Sequence, residues 1–204
     1  GIIFDYGGTL DSDGMHWGKR IWHAYQKCGV PVDEALFREA YVHAERTLAK
    51  TPIIRSDDDF TATLCKKLTI ELEYIEKRLD GFDPDEWIDD ILDSLIEATE
   101  ESTNLSNEVM GEVFGKYVKA GKTILVSNFY GNVNAVLRQF GLDGCFSEVI
   151  ESAVVGGRQP NRDMWRMGDK GLRISDPYNW HVLRHRSRNV MSTAHEIGGV
   201  ELWI

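Results

Sequence analysis

The chain has 204 residues, with 33 Asp and Glu against 23 Lys and Arg, and its formal net charge is −10. This length allows one domain with a modest insertion, and a core of this size needs no disulfide or metal to fold. The negative charge argues against general binding to nucleic acids or anionic membranes, and we expect neither as a partner.

The three cysteines are widely spaced in apolar contexts and show no metal-binding pattern, which predicts reduced, buried thiols and a cytoplasmic location. Apolar runs are only a handful of residues long, so no membrane span is expected. The chain begins and ends directly on predicted strands, and we therefore expect flanking residues beyond Gly1 and Ile204.

The first predicted element is a strand from Ile2 to Phe4, which leads directly to Asp5 and then to Gly7, Gly8 and Thr9. An acidic side chain after an apolar strand, followed by glycines that free the backbone, is typical of sites where α/β proteins hold reactive groups. A strand that ends in an ordinary turn is the alternative.

Helical periodicity dominates the next part of the chain, with helices predicted over residues 15–28, 33–50, 58–79 and 84–103. The third has apolar residues at spacings of three and four, namely Leu64, Leu68, Leu72 and Ile75. Asp83 followed by Pro84 indicates an N-cap with proline at the first helical position. This region therefore predicts an all-helical unit.

From Leu105 the pattern alternates between helices and strands. Strands are predicted over residues 123–126, around 149–150, and over 180–183 and 200–203, with helices at 133–140, 162–172 and 188–197 between them. Such alternation indicates a parallel sheet. The sequence thus predicts an α/β fold, a Rossmann-like parallel sheet core formed by residues 1–12 and 104–204, with an inserted all-helical cap domain at residues 13–103.

Two motifs in this arrangement resemble those of the haloacid dehalogenase superfamily. Asp5 with its glycine turn resembles the first motif, and Ser127, directly after the second core strand, resembles the second. The resemblance implies that Asp5 is a nucleophile that attacks phosphorus or carbon, and that Ser127 hydrogen-bonds the transferred group. It covers residues 1–10 and 105–204, whereas the insertion matches only as a helical cap.

The sequence departs from the family pattern at three places. Gly7 stands where the phosphatases carry a second aspartate, a general acid and base worth about 10²- to 10⁴-fold in rate. Asp11 or Asp13 could assist, although both lie beyond the turn. Gln159 stands where a lysine precedes a proline, with Arg158 beside it as a cation that could turn inward.

The third departure concerns the metal. The resemblance implies Mg²⁺, held in part by Asp5 and the Gly7 carbonyl, but Arg184, His185 and Arg186 replace the acidic residues expected after the next strand. Mg²⁺ needs hard oxygen ligands, so guanidinium groups there predict a weakened or missing metal site. Either the site has decayed, or the arginines supply the positive charge instead.

The resemblance favours a phosphatase that acts on a small phosphorylated metabolite through an aspartyl-phosphate at Asp5, with weak activity because three motifs are altered. Substrate identity and oligomeric state stay open. The alternative is an inactive family member that binds an anion or a protein partner in the same cleft. The predicted substrate-binding residues are Gly7, Gly8, Thr9, Asn128, Arg158, Arg184 and Arg186.

Overall fold

The structure is a computed structural model that describes residues 1–113, 123–159, 161–172, 181–184 and 200–203. Its strands are β1 (Ile2–Phe4), β2 (Thr123–Ser127), β3 (Glu148–Glu151), β4 (His181–Arg184) and β5 (Val200–Trp203). Its α-helices are α1 (Trp17–Cys28), α2 (Glu34–Lys50), α3 (Phe60–Glu76), α4 (Ile88–Val113), α5 (Val133–Gln139), α6 (Ser152–Val155) and α7 (Arg162–Leu172).

The strands form one parallel sheet in the order β3-β2-β1-β4-β5. Strand β1 lies at the centre, with Phe4 opposite Leu125 of β2 on one side and opposite Leu183 of β4 on the other. The carboxyl ends of all these strands therefore meet at one edge of the sheet. The Rossmann-like α/β fold predicted from the sequence is confirmed.

The central strand is buried on both faces. Ile2 and Phe4 belong to a large apolar cluster shared with the helices, whereas Ile3 packs on the opposite face with Met164 and Trp165 of α7. At Gly168 a Cβ would lie 2.9 Å from the end of the Ile3 side chain, so a larger residue there would force Ile3 to shift. Asp5 therefore directly follows a strand that is buried on both of its faces.

Helices α1 to α4 lie between β1 and β2 in the chain and form the helical layer. The apolar stripe predicted on α3 is buried, and Asp59 caps this helix by accepting a hydrogen bond from the Ala62 N–H at 2.8 Å. The division of the chain into a core and a cap at residues 13–103 stays a prediction, and its second boundary falls within α4.

Some predicted elements differ from the observed ones. Helix α4 runs unbroken from Ile88 to Val113, because no glycine or proline interrupts the sequence before Gly111. Pro84 starts a short 3₁₀ turn, Pro84–Glu86, and not the long helix itself. Helix α6 has four residues, too few for periodicity to reveal it. The helix predicted at 188–197 lies outside the described residues.

Cys28, Cys65 and Cys145 are all free, but each is half-buried and not fully buried as predicted. None of the helices in the described part of the chain is both long enough and apolar enough to span a membrane.

Candidate active site

The carboxyl edge of the sheet brings together three of the predicted site positions. Asp5 directly follows β1, Ser127 is the last residue of the adjacent β2, and Arg184 is the last residue of β4 on the other side. Parallel strands make this edge the usual location of α/β active sites. Arg186, also predicted to bind substrate, lies outside the described residues.

Two neutral donors contact the Asp5 side chain. The residue is only 4% exposed. Its Oδ1 accepts a hydrogen bond from Gln159 Nε2 at 3.4 Å, and its Oδ2 lies 3.5 Å from Thr9 Oγ1, which donates to it. Thr9 therefore supports the carboxylate, and its role in substrate binding stays a prediction.

Gln159 is fixed in this position by further hydrogen bonds. Its Nε2 donates to the Val126 carbonyl at 2.7 Å, while its backbone N–H donates to Asn128 Oδ1 at 2.7 Å. Asn128 Nδ2 in turn donates to the Gln159 carbonyl at 3.2 Å. The amide of Asn128 thus holds Gln159, while the predicted role of Asn128 in substrate binding stays a prediction.

Arg158 does not turn toward Asp5. It is exposed and borders a separate groove of about 500 Å³, together with Lys50 and Pro52 at the end of α2. The neutral Gln159, and not the arginine beside it, reaches the candidate nucleophile. The two hydrogen bonds between the Asn128 side chain and the Gln159 backbone fix the direction of the chain at this point.

The turn after Asp5 depends on Gly8 and Asp11. Gly8 has a φ of 84°, which favours glycine, and its N–H donates to Asp11 Oδ1 at 2.7 Å. Asp11 Oδ2 accepts a second hydrogen bond from Trp17 Nε1 at 2.8 Å. Burial raises the pKa of Asp11, and these hydrogen bonds oppose that rise. With both oxygens occupied, Asp11 anchors the turn to α1.

Two hydrogen-bond donors near Asp5 have no acceptor among the described residues. The Ser127 hydroxyl is fully buried and has no hydrogen-bond partner among the described residues. Within the same part of the chain, the Gly7 N–H donates to no group. An unpaired buried hydroxyl is costly in a folded protein, and such groups often mark functional sites.

A cavity of about 290 Å³ lies between this edge and the helices. Gly7, Gly8 and Asp11 line it from the turn, and Asn128 lines it from the loop after β2. Asp5 and Ser127 do not border it directly. The rest of its wall is largely aromatic, and includes Trp17, Tyr41, Phe60, Phe129 and Tyr130.

Sequence reasoning missed a charged cluster on the helical side of this cavity. Lys67 forms an ion pair with Glu45, and its Nζ lies 4.4 Å from the centroid of the Tyr41 ring. The Tyr130 hydroxyl donates to Glu45 Oε1 at 3.1 Å. Burial lowers the pKa of Lys67, but nearby acidic groups outweigh it and raise the pKa overall.

Glu71 completes this cluster one turn further along α3. It is fully buried and accepts a hydrogen bond from the Tyr25 hydroxyl at 3.4 Å. Burial raises the pKa of Glu71 to about 7, although Lys67 opposes the rise. The signal was present in the sequence, because Lys67 and Glu71 fall within the apolar stripe of Leu64, Leu68 and Leu72.

The described residues do not by themselves fit a Mg²⁺ site. Among them, no group of three or more His, Cys, Asp or Glu side chains could hold a metal ion. Asp5 and the Gly7 carbonyl remain the predicted ligands, but both Asp5 oxygens already face hydrogen-bond donors. Residues 185–199, where the resemblance places further ligands, lie outside the described residues.

The fold and the site together define an α/β protein with a buried aspartate at the carboxyl end of its central strand, beneath a layer of helices. The family model for haloacid dehalogenase-like hydrolases matches residues 1–172. The chain therefore belongs to the haloacid dehalogenase-like hydrolases, as the sequence motifs predicted. No curated protein matches the chain.

Solved structures support the same fold. The HAD-hydrolase YfnB from Bacillus subtilis is 11% identical, with a TM-score of 0.55 over 100% of this chain and 85% of that one. The 2-haloacid dehalogenase from Pseudomonas syringae is 16% identical, with a TM-score of 0.53 over 99% and 84%. The L-2-haloacid dehalogenase from Xanthobacter autotrophicus is 14% identical, with a TM-score of 0.51 over 98% and 75%.

Proposed function

We propose that this haloacid dehalogenase-like hydrolase is a slow phosphatase that transfers a phosphoryl group from a small phosphorylated metabolite to Asp5. The observation that carries the proposal is the unpaired Ser127 hydroxyl at the strand end beside the Asp5 carboxylate. A hydroxyl donor next to a nucleophile suits the oxygens of a phosphoryl group, which carry the charge in the transition state.

In the first step an Asp5 oxygen attacks phosphorus, the bond from phosphorus to the leaving oxygen breaks, and an aspartyl-phosphate forms. Gln159 and Thr9 orient the carboxylate, while Ser127 Oγ and the Gly7 N–H donate to phosphoryl oxygens. In the second step water attacks the same phosphorus, phosphate leaves, and the carboxylate is restored.

The slow rate follows from proton transfer. The leaving oxygen needs a proton in the first step and the attacking water must lose one in the second, but Gly7 carries no acid or base. We assign Asp11 a structural role instead, since its two oxygens accept hydrogen bonds from the Gly8 N–H and from Trp17 Nε1. Aryl phosphates, whose leaving groups need less protonation, should react fastest.

The family generally uses Mg²⁺, and the YfnB structure is described as bound to magnesium. A Mg²⁺ ion at such a site would neutralise charge on the phosphoryl group. Because the described residues do not fit it, we assign that role to the positive charge of Arg184, at the end of β4, and of Arg186, two residues later in the sequence. We also propose a cytoplasmic location, given the free cysteines.

The test is hydrolysis of an aryl phosphate by the wild-type protein and by Asp5→Asn, each with Mg²⁺ and with a chelator. We expect slow hydrolysis that Asp5→Asn abolishes, and a phosphorylated protein by mass spectrometry after an acid quench. Activity that is unchanged in Asp5→Asn would show that the chemistry is misassigned.

A second candidate is a family member that binds an anion or a protein partner without turnover. The burial of Asp5 and its position away from the cavity wall favour it. This candidate predicts that vanadate raises the melting temperature while no phosphate ester is hydrolysed. Hydrolysis that depends on Asp5 would exclude it.

A further inference from the structure

Both ends of the cavity favour a negatively charged group. At the sheet end the cavity is lined by Gly7 and Gly8, where the proposed function places the anionic phosphoryl group. At the helical end, Lys67 is the only lysine or arginine among the described residues that lines the cavity. Its side chain is 8% exposed, so water screens this charge poorly.

Lys67 keeps donor capacity for a ligand. Its ammonium group has three N–H donors, and within the described ranges it donates to one acceptor, Glu45 Oε1. The ring of Tyr41 covers another side of the ammonium group. Glu45 and Tyr130 thus hold the lysine in place, because Glu45 Oε1 accepts from both of them.

The geometry points to Lys67 as a specificity-determining residue that binds a second anionic group, a carboxylate, at the end of the substrate opposite the phosphoryl group. The inference rests on the proposed function, since it takes the sheet end of the cavity as the phosphoryl site. A buried ammonium beside an aromatic wall gains most from a charged hydrogen-bond partner such as a carboxylate. An apolar group would leave that donor unused, and a cationic group would be repelled by it.

Glu71 adds a dependence on pH. Its neighbours are charged or titratable groups on three helices, namely Lys67 on its own helix, Glu45 and Tyr41 on α2, and Tyr25 on α1. When Glu71 loses its proton, a second negative charge faces Lys67 and weakens its attraction for an anion. The preference for a carboxylate should therefore be stronger at pH 6 than at pH 8.

Binding of three unreactive phosphonates by calorimetry tests this inference. The probes are butylphosphonate, its terminal-carboxylate analogue phosphonobutanoate, and its terminal-ammonium analogue aminobutylphosphonate. The wild-type protein should bind phosphonobutanoate about tenfold more tightly than butylphosphonate, and aminobutylphosphonate most weakly. Equal affinity for the first two, or no binding of any probe, overturns the inference.

Variants assign the preference to the lysine. In Lys67→Met the ratio of the two dissociation constants should fall to about one, and in Lys67→Arg it should be kept. Lys66→Met is the matched control, because Lys66 is the preceding residue on α3, pairs with Asp58 and does not line the cavity. A ratio that is unchanged in Lys67→Met overturns the inference.

Glu71→Gln keeps the inference testable if Lys67→Met does not fold, since the ratio should then lose its decline between pH 6 and pH 8. If the ratio still declines between pH 6 and pH 8 in Glu71→Gln, the inference that Glu71 and Lys67 set the preference is overturned. Phosphonates are not hydrolysed, so the two proposals fail separately. A carboxylate preference without hydrolysis of phosphate esters removes only the phosphatase, and hydrolysis without the preference removes only the role of Lys67.

Discussion

The amide of Gln159 donates a hydrogen bond to the carboxylate of Asp5, and the two residues are 154 positions apart in the sequence. Because the amide also donates to the Val126 carbonyl, it is fixed between the strand and the candidate nucleophile. The donor is neutral, whereas the sequence motif resembles one in which a lysine precedes the proline. Gln159 can therefore orient Asp5 but adds no charge to oppose that of a phosphoryl group.

We predict that Gln159→Lys raises kcat/KM for an aryl phosphate by about tenfold or more. A cation at this position stabilises the negative charge of the transition state, and a lysine still has donors for the Val126 carbonyl. Steady-state kinetics at saturating and low substrate concentrations would measure the change.

Gln159→Met is the matched control, because it keeps the length of the side chain and removes both hydrogen bonds. It should lower the free energy of unfolding by about 1–3 kcal/mol, since the buried Val126 carbonyl loses a donor. If both variants are slower than the wild type, the missing charge is not what limits the reaction.

Gly7→Asp should restore proton transfer. Gly7 lines the cavity, a Cβ there would meet nothing within 4 Å, and its φ lies outside the left-handed region that Gly8 occupies. An aspartate therefore fits without strain, and we expect kcat to rise by about 10²- to 10⁴-fold, most for alkyl phosphates. Comparison of alkyl and aryl phosphate turnover measures this effect.

The control for that change is Gly7→Asn, which has nearly the same shape and cannot exchange a proton. It should leave kcat within a few-fold of the wild type. The double variant Gly7→Asp with Asp5→Asn should be inactive, and residual turnover in it would mean that the new aspartate acts alone.

The fold was predictable because local patterns specify it. Strand β1 ends at Phe4 as predicted, β2 ends one residue later than predicted, at Ser127, and the alternation of strands and helices indicated the parallel sheet. Parallel pairing then determines that strand ends meet, so the juxtaposition of Asp5 and Ser127 followed from topology alone.

The side-chain partners were not predictable in the same way. Whether Arg158 or Gln159 reaches Asp5 depends on the hydrogen bonds between the Asn128 side chain and the Gln159 backbone, which join segments 31 residues apart. The pairing of Lys67 with Glu45 depends on how α2 packs against α3. Local sequence patterns carry no information on such contacts, which only the packed structure contains.

Ser127→Ala should separate activity from stability. The Ser127 hydroxyl is buried and has no partner among the described residues, so replacing it with a methyl group should leave the free energy of unfolding within about 0.5 kcal/mol or raise it. Turnover should nevertheless fall by about 10²-fold or more, because a donor to the phosphoryl group is lost.

Ser147→Ala is the contrasting control. Ser147 Oγ donates to the Thr123 carbonyl at 2.7 Å, at the opposite end of β2 from Ser127. Its removal should cost about 1 kcal/mol of stability and leave kcat unchanged. Urea unfolding and initial rates on the same samples measure both quantities, and a marked loss of stability in Ser127→Ala would mean that its hydroxyl has a structural partner.

Glu71 should make the protein less stable as the pH rises. Burial raises the pKa of Glu71 from 4.5 to about 7 in the folded state, so the folded protein binds more protons than the unfolded chain between these values. The free energy of unfolding therefore falls as the pH rises through this window. The loss of stability, roughly 3 kcal/mol at most, is complete above about pH 7.

Glu71→Gln removes this titration and should be more stable than the wild type at pH 8, with a difference that shrinks toward pH 5. Glu76→Gln, an exposed change on the same helix, is the control and should follow the wild type at every pH. Urea unfolding from pH 5 to pH 8 measures the three proteins, and parallel curves for the wild type and Glu71→Gln would show that Glu71 does not titrate in this range.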